Sequence, residues 1–183
     1  RPVLAALGLT GIPTRLDEDQ PGFALDLASL HVPDLPGVGL VDASVVLRQT
    51  LVAWRAASSI ESQGMPKDEA LTRASADIDG YLAVDSHRVL MLDGQPVAMT
   101  GFNAILPEIV QVGGVYTPPH LRGSGYARQA VALHLAEARV SGVARAVLFA
   151  ANESAARAYR AIGFQRSRPF ALVLLSSSIT LPA

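Results

Sequence analysis

Apolar and polar positions change period several times along this chain, and each change marks an element. Residues 23–30 (FALDLASL) alternate apolar with small or polar side chains, the period of a half-buried strand. The proline- and glycine-rich stretch 31–39 (HVPDLPGVG) reads as a loop and as the best domain boundary. From Asp42 to Ser62, Val46, Leu47, Leu51, Trp54 and Ala57 recur at threes and fours, predicting an amphipathic helix with Asp42 as its candidate cap. Gly64-Met65-Pro66 ends it. A second helix over 66–79 starts with Pro66 and has Asp68 and Glu69 in its first turn.

The period then switches to that of strands. Residues 87–94 and 95–106 flank Asp93-Gly94, a strong hairpin signal. EIVQVGGVYT (108–117) is a third strand whose central Gly113-Gly114 suggests a bulge or a close backbone approach. A helix is expected over 126–140, a buried strand over 144–151, a short helix over 152–162 capped by Asn152 and stopped by Gly163, and a last strand over 170–177. A strand–helix–strand unit among antiparallel neighbours predicts a mixed, mostly antiparallel α/β sheet flanked by helices, with a right-handed crossover.

The junction YTPPHLRGSGYAR (116–128) carries candidate chemistry. Pro118-Pro119 must end the strand. Gly123 and Gly125 then leave the backbone bare where a helix begins, and the first N–H groups of a helix attract an anion of phosphate size. Arg122 and Arg128 add charge beside it. A plain strand-to-helix turn explains the glycines equally well. Two familiar phosphate motifs fail. A P-loop needs Gly-Lys-Ser/Thr, where Tyr126-Ala127-Arg128 stand, and the dinucleotide fingerprint needs a small residue in place of Arg128.

Composition narrows the field. The chain has 183 residues, half of them apolar, enough for one substantial core. A net charge of −1 argues against bulk nucleic-acid binding, and no apolar run is long enough to span a membrane. Without cysteine there is no disulfide or thiolate metal site, and a cytoplasmic location fits. Four scattered histidines without a carboxylate cluster give no metal site. Only Lys67 among fifteen basic residues is a lysine, a bias that hints at a GC-rich bacterial genome. RPVLAALGLTGIPTR, starting at Arg1, reads like the end of an apolar helix followed by a turn, so residues 1–34 are expected to be the remnant of a longer N-terminal region. The strand at 23–30 has no assigned neighbour in the sequence. That predicts a homo-oligomer or a contact with a preceding region, because an open strand edge is normally covered.

Three separated motifs resemble the GNAT-type N-acetyltransferase superfamily. RGSGYA (122–127) matches its Gln/Arg-x-x-Gly-x-Gly/Ala signature at a helix head, with Pro119 just before it; Asn152 heads the following short helix; YRAIGF (159–164) matches Tyr-x-x-x-Gly-Phe. Each is weak alone; their order is specific. Residues 54–101 also look like the acceptor-side half of bacterial members, and the resemblance extends over about 35–177, which sets the expected domain at 35–183.

The resemblance implies a splayed strand pair forming a cleft for acetyl-CoA, the co-substrate, and an amine acceptor, either small molecule or peptide. It carries over to Val115, Tyr116 and Thr117 as the pantetheine-binding strand, with the bulge polarising the thioester carbonyl. It makes Arg122, Gly123, Ser124, Gly125, Tyr126, Ala127 and Arg128 the pyrophosphate cradle. Asn152 either meets the pantetheine or only caps its helix. Tyr159 occupies the family's position for the acid that protonates the leaving sulfur, although Ala155, Tyr159 and Ile162 share a helical face and core packing is the alternative. The base is less defined. Relatives often carry a glutamate where Gln111 stands here, so Glu108 re-aimed by a bulge, a water relay, or an acceptor that arrives neutral remain open. His134, between Val131 and Leu135, reads as structural, and His87 and His120 as surface or strand-edge residues. The stretch 42–79, with Trp54, Arg55, Glu61, Asp68 and Glu69, is the expected acceptor-side wall but names no acceptor.

Overall fold

A computed structural model describes residues 2–177 and 179. After a short helix α1 (Pro2–Ala6) come β1 (Thr14–Gln20), β2 (Gly22–Asp26) and β3 (Val38–Asp42). Helices α2 (Arg48–Gln63) and α3 (Lys67–Ala83) follow, then β4 (His87–Leu92), β5 (Gln95–Ile105) and β6 (Ile109–Tyr116). The chain continues as α4 (Tyr126–Val140), β7 (Arg145–Phe149), α5 (Glu153–Arg160), β8 (Gln165–Arg166) and β9 (Phe170–Leu175). Seven strands form one sheet in the order β3-β4-β5-β6-β7-β2-β8, and β1 pairs with β9 separately. Among the described residues only β6 and β7 run parallel; the other pairs are antiparallel. This is the mixed, mostly antiparallel sheet expected from the strand–helix–strand unit.

The sheet is covered on both faces because its strands alternate. Val89 and Met99 are paired across β4 and β5 and pack with Leu51 of α2 and Ile78 of α3. The next pair, Leu90 and Ala98, points the other way and packs with Ala130 of α4. The largest core gathers Phe23, Leu25, Val110, Val112, Ala146 and Leu148 under α4 and α5. The hairpin turn has both Asp93 and Gly94 at positive φ, 49° and 75°, as a two-residue turn matched to strand twist requires.

Several boundaries differ from the sequence reading, each for a physical reason. Asp42 does not cap α2. It ends β3 and precedes a single 3₁₀ turn, with no capping bond from its side chain, and α2 starts after Leu47. The loop assigned to 31–39 contains the start of β3, an edge strand paired only with β4, whose half-exposed residues show no clear alternation. β1 (TRLDEDQ) was invisible to the pattern because it is mostly exposed and stands only through its pairing with β9. The strand at 23–30 is shorter, ending at Asp26, whose Oδ1 accepts from Ala28 N at 2.9 Å and turns the chain. Nor does it lack neighbours: β2 lies between β7 and β8, so the open edge that motivated a covering partner is filled by this chain itself. β2 also precedes the 34/35 boundary yet belongs to the same sheet as the strands after it. The expected N-terminal helix end is α1, although Arg1 lies outside the described residues.

Candidate active site

The parallel strands part at a defined place. β6 and β7 pair only through Ile109–Arg145, Val110–Ala146 and Gln111–Val147, although β6 runs on to Tyr116 and β7 to Phe149. Being parallel, they direct the loop before α4 and the start of α5 to the same end of the sheet. A cleft beyond the carboxyl ends of parallel strands is a recurrent ligand site. On its other side β6 pairs with β5 through Gly101–Gly113 and then Met99–Tyr116, so Gly114 and Val115 face the single residue Thr100. That two-against-one count is a β-bulge, and Gly114 holds φ 61° within it.

The chain leaves β6 through Thr117, Pro118 and a 3₁₀ turn at Pro119–Leu121, then enters α4 with Gly123 at φ 87° and Gly125 at φ 84° as N-cap. Gly125 offers no side chain to cap the helix, so the leading N–H groups of α4 face outward as donors. Arg128 folds back over this turn: a Cβ on Gly125 would lie 3.3 Å from its Nη2. Three side-chain atoms on this stretch of chain are buried without a partner among the described residues: Arg128 Nε, Gln129 Oε1 and Thr117 Oγ1. Buried polar groups are normally satisfied, so these atoms leave hydrogen-bonding capacity unused.

Arg122 is already engaged. Its Nε donates to the Thr117 carbonyl at 2.9 Å, its Nη2 donates to Glu61 Oε2 at 2.6 Å, and its guanidinium lies 5.7 Å from the centre of the Tyr116 ring. Tyr116 OH also donates to Glu61 Oε1 at 3.4 Å, and Trp54 sits 6.1 Å from Tyr116 ring to ring. Burial, with the Glu61 carboxylate, raises the Tyr116 phenol above its ordinary pKa. Thus Val115, Tyr116 and Thr117 come together with the cradle at the open end of β6. Ser124 and Gly123 stay exposed, and Tyr126 packs into the core under α4 with Ala127 half-buried beside it.

On the other lip, Asn152 Oδ1 accepts from Ala155 N at 2.9 Å, the capping role its position suggested. Tyr159 is buried in the core under α5, edge-on to Phe164 at 6.0 Å, and burial pushes its phenol up to about 12. The glycine of Tyr-x-x-x-Gly-Phe has a local cause: Gly163 holds φ 108°, and a Cβ there would lie 2.8 Å from Ser29 O.

Glu108 does not come to this place. It is exposed just before β6, where its carbonyl accepts from Ala144 N and Arg145 N at 3.0 Å. Six residues separate it from Gly114, about 20 Å of strand at ~3.3 Å per residue. The lower register shift sits beside Asn103 on β5 and adds no residue to β6, so nothing re-aims Glu108. Gln111 lies within the sheet, paired to Ala104 and Val147.

His87, expected at the surface or a strand edge, is 1% exposed. Its ring stacks on Tyr81 at 3.7 Å, its Nδ1 is 2.9 Å from Ser86 Oγ, and its Nε2 has no partner among the described residues. A Cβ on Gly101 or on Gly114 would collide with the imidazole. Burial, then Arg55 and Arg88, lowers its pKa to about 4. No signal in the sequence links His87, Gly101 and Gly114, because only the strand register brings them side by side. Glu61 was expected only as part of the acceptor-side wall; its pairing with Arg122, 61 positions away, was hidden for the same reason. His134 is structural as expected: buried on α4 and stacked on Phe102 at 3.8 Å.

Residues 50–164 match the model of the Acetyltransferase (GNAT) family. The chain belongs to the GNAT family. Solved structures agree on the fold. A GCN5-related N-acetyltransferase from Kribbella flavida matches with a TM-score of 0.62 at 22% identity, over 88% of this chain and 59% of its own. A GNAT-family acetyltransferase from Novosphingobium aromaticivorans matches with a TM-score of 0.56 at 22% identity, over 89% of this chain and 68% of its own. An acetyltransferase from Clostridium acetobutylicum, solved with acetyl-CoA, matches with a TM-score of 0.55 at 19% identity, over 71% and 90%. The chain therefore spans about three fifths of the length of the Kribbella GNAT protein. No curated protein matches the sequence. Among the described residues of this GNAT chain no helix is long and apolar enough to cross a membrane, and no group of side chains could hold a metal ion.

Proposed function

We propose that this protein is an N-acetyltransferase that moves the acetyl group of acetyl-CoA to a primary amine. The observation that carries it is the parting of β6 and β7 after Gln111–Val147, with a donor-rich helix start and a β-bulge at its mouth. In this reading the amides at 123–127 hold the pyrophosphate, Val115 to Thr117 pair with the pantetheine, and the bulge amides stabilise the developing oxyanion. The amine nitrogen attacks the thioester carbon, the C–N bond forms and the C–S bond breaks. In this reading Tyr159 is the proton donor to the leaving sulfur, and with burial pushing its phenol up to about 12 it stays protonated at every working pH. Asn152 holds α5, and so Tyr159, in place.

A second reading has a specific observation behind it. Neither β6 position expected to supply a carboxylate does so: Gln111 stands where relatives often have glutamate, Glu108 is remote, and Glu61 at the strand end is tied to Arg122. That favours a catalytically silent acyl-CoA-binding or assembly module. Calorimetry with acetyl-CoA, followed by thiol release over a panel of primary amines, decides between them. Binding with turnover supports the transferase; binding without turnover on any amine supports the silent module; no binding overturns both.

A further inference from the structure

The acyl-transfer reading leaves one task without a residue, the removal of a proton from the attacking amine. One side chain beside the bulge is built for it and has not been used. His87 lies on β4, two strands from β6, and reaches the bulge across the bare α-carbons of Gly101 and Gly114. We infer that His87 is the positioning residue for the acceptor nitrogen: its Nε2 accepts a hydrogen bond from one water at the Gly114-Val115 bulge, and that water takes the amine proton.

Four observations lead there. Nε2 is shielded from solvent and has no partner among the described residues, in a residue 1% exposed. A buried polar atom left alone is costly, so a native structure normally supplies it a partner. The ring is held by Tyr81 on one side and by Ser86 at 2.9 Å, which fixes where Nε2 points. A purely structural filler beside two glycines would have no need of a second nitrogen; leucine or phenylalanine would fill the space without that cost. Finally, the carboxylate that reaches this end of β6, Glu61, is held by Arg122 Nη2 at 2.6 Å and by Tyr116 OH at 3.4 Å.

The chemistry balances with what acyl transfer supplies. As the C–N bond forms, one amine proton passes to the water and a water proton to Nε2. As the C–S bond breaks, Tyr159 protonates the departing thiolate, and the proton held on Nε2 leaves through water to restore the phenol, giving free thiol and amide. The role requires the tautomer in which Nδ1–H donates to Ser86 Oγ, leaving the lone pair on Nε2. The charged and titratable groups around the ring are Arg55 of α2, Tyr81 and Asp77 of α3, Arg88 of β4 and His134 of α4 behind the sheet; Arg55 is tied to Asp77 at 2.7 Å. With its pKa lowered to about 4 the imidazole is neutral throughout the neutral range. So weak a base orients the water more than it pulls the proton, and the substrate class that suits it is an amine presented uncharged.

The inference rests on the acyl-transfer reading but fails separately from it. His87→Phe keeps a ring against Tyr81 and removes both nitrogens; His87→Gln restores an acceptor. Expected are unchanged acetyl-CoA affinity in both, a turnover about 10²-fold lower in His87→Phe, partial recovery in His87→Gln, and loss of any acid limb below pH 5. Turnover of His87→Phe within twofold of wild type overturns the inference. Should that variant not fold, the ¹⁵N spectrum of wild-type imidazoles decides. An unprotonated Nε2 whose signal moves on adding ethylamine with acetyl-CoA supports the role; the Nε2–H tautomer, or a signal indifferent to ethylamine, overturns it. Failure of acetyl-CoA to bind the wild type sinks the transferase reading instead, and calorimetry reads that independently of His87.

Discussion

Arg122 Nη2 donates to Glu61 Oε2 at 2.6 Å while its Nε donates to the Thr117 carbonyl at 2.9 Å. One guanidinium thus clips the acceptor-side helix α2 to the strand end and the loop ahead of α4. The arginine of the Arg-x-x-Gly-x-Ala motif spends its side chain on this clip, and the cradle is left to backbone amides.

Glu61→Gln is expected to bind acetyl-CoA roughly threefold more tightly, because it removes a negative charge near the pyrophosphate and frees Arg122. Both partners are nearly half exposed, 43% and 47%, so the pair itself is worth under about 1 kcal/mol and thermal stability should hardly move. The gain should fade between 50 mM and 500 mM salt, where screening removes surface electrostatics. Titration calorimetry at the two salt concentrations checks both points; an affinity that falls in Glu61→Gln contradicts the competition.

The cradle can be charged without straining the backbone. Gly123 and Gly125 both hold positive φ, so a side chain at either is strained as well as charged. Ser124, between them and exposed, is free of that objection. Ser124→Glu should weaken acetyl-CoA binding at least tenfold and leave the melting temperature nearly unchanged, while Ser124→Gln should bind nearly as well as wild type. Equal affinities for the two variants would move the pyrophosphate elsewhere.

Tyr159→Phe removes one hydroxyl from a side chain packed against Phe164. Acetyl-CoA affinity should hold and turnover should fall about a hundredfold, the low end for general acid catalysis. The reason for the low end is the mismatch between a phenol held near 12 and a thiol near 8.5, which makes proton transfer to the sulfur uphill. It follows that Tyr159 does not ionise below about pH 11 and sets no alkaline limb there. Rates from pH 6 to 10 in both proteins test this; an alkaline limb present only in the wild type would contradict the high phenol pKa.

The sequence disclosed what local pattern and linear motif can carry. The helix head at 122–128, the hairpin at Asp93-Gly94 and the capping Asn152 are local events with residues that leave few options. What stayed hidden depends on register. Nothing in HRVLML says that His87 will lie over Gly101 and Gly114, since that needs β4, β5 and β6 aligned with one extra residue in β6. Glu61 looked like one more charge on a solvated helix face until Arg122 was found against it. β1 and β3 escaped because exposed and edge strands owe their form to a partner rather than to their own alternation.

Two buried histidines make stability depend on pH in a defined window. Burial is the first cause in both, holding His87 near 4 and His134 near 3, against 6.5 for the free side chain. The folded state therefore binds protons less readily than the unfolded chain. Their contribution is fully present above about pH 6.5 and is lost as the pH falls towards 4 for His87 and 3 for His134. At pH 5 each accounts for about 2 kcal/mol of lost stability relative to pH 8. His134 separates this effect from catalysis, because it stacks on Phe102 behind the sheet, away from the bulge. His134→Leu removes one proton acceptor of the unfolded state and the buried, unpartnered Nδ1 with it. The melting temperature of the variant should then fall between pH 8 and pH 5 by about 4–8 °C less than that of the wild type. Scanning both proteins by calorimetry at half-unit pH steps gives the answer; parallel curves would mean that His134 is protonated inside the fold at ordinary acidity, with a partner that the stacked geometry does not provide.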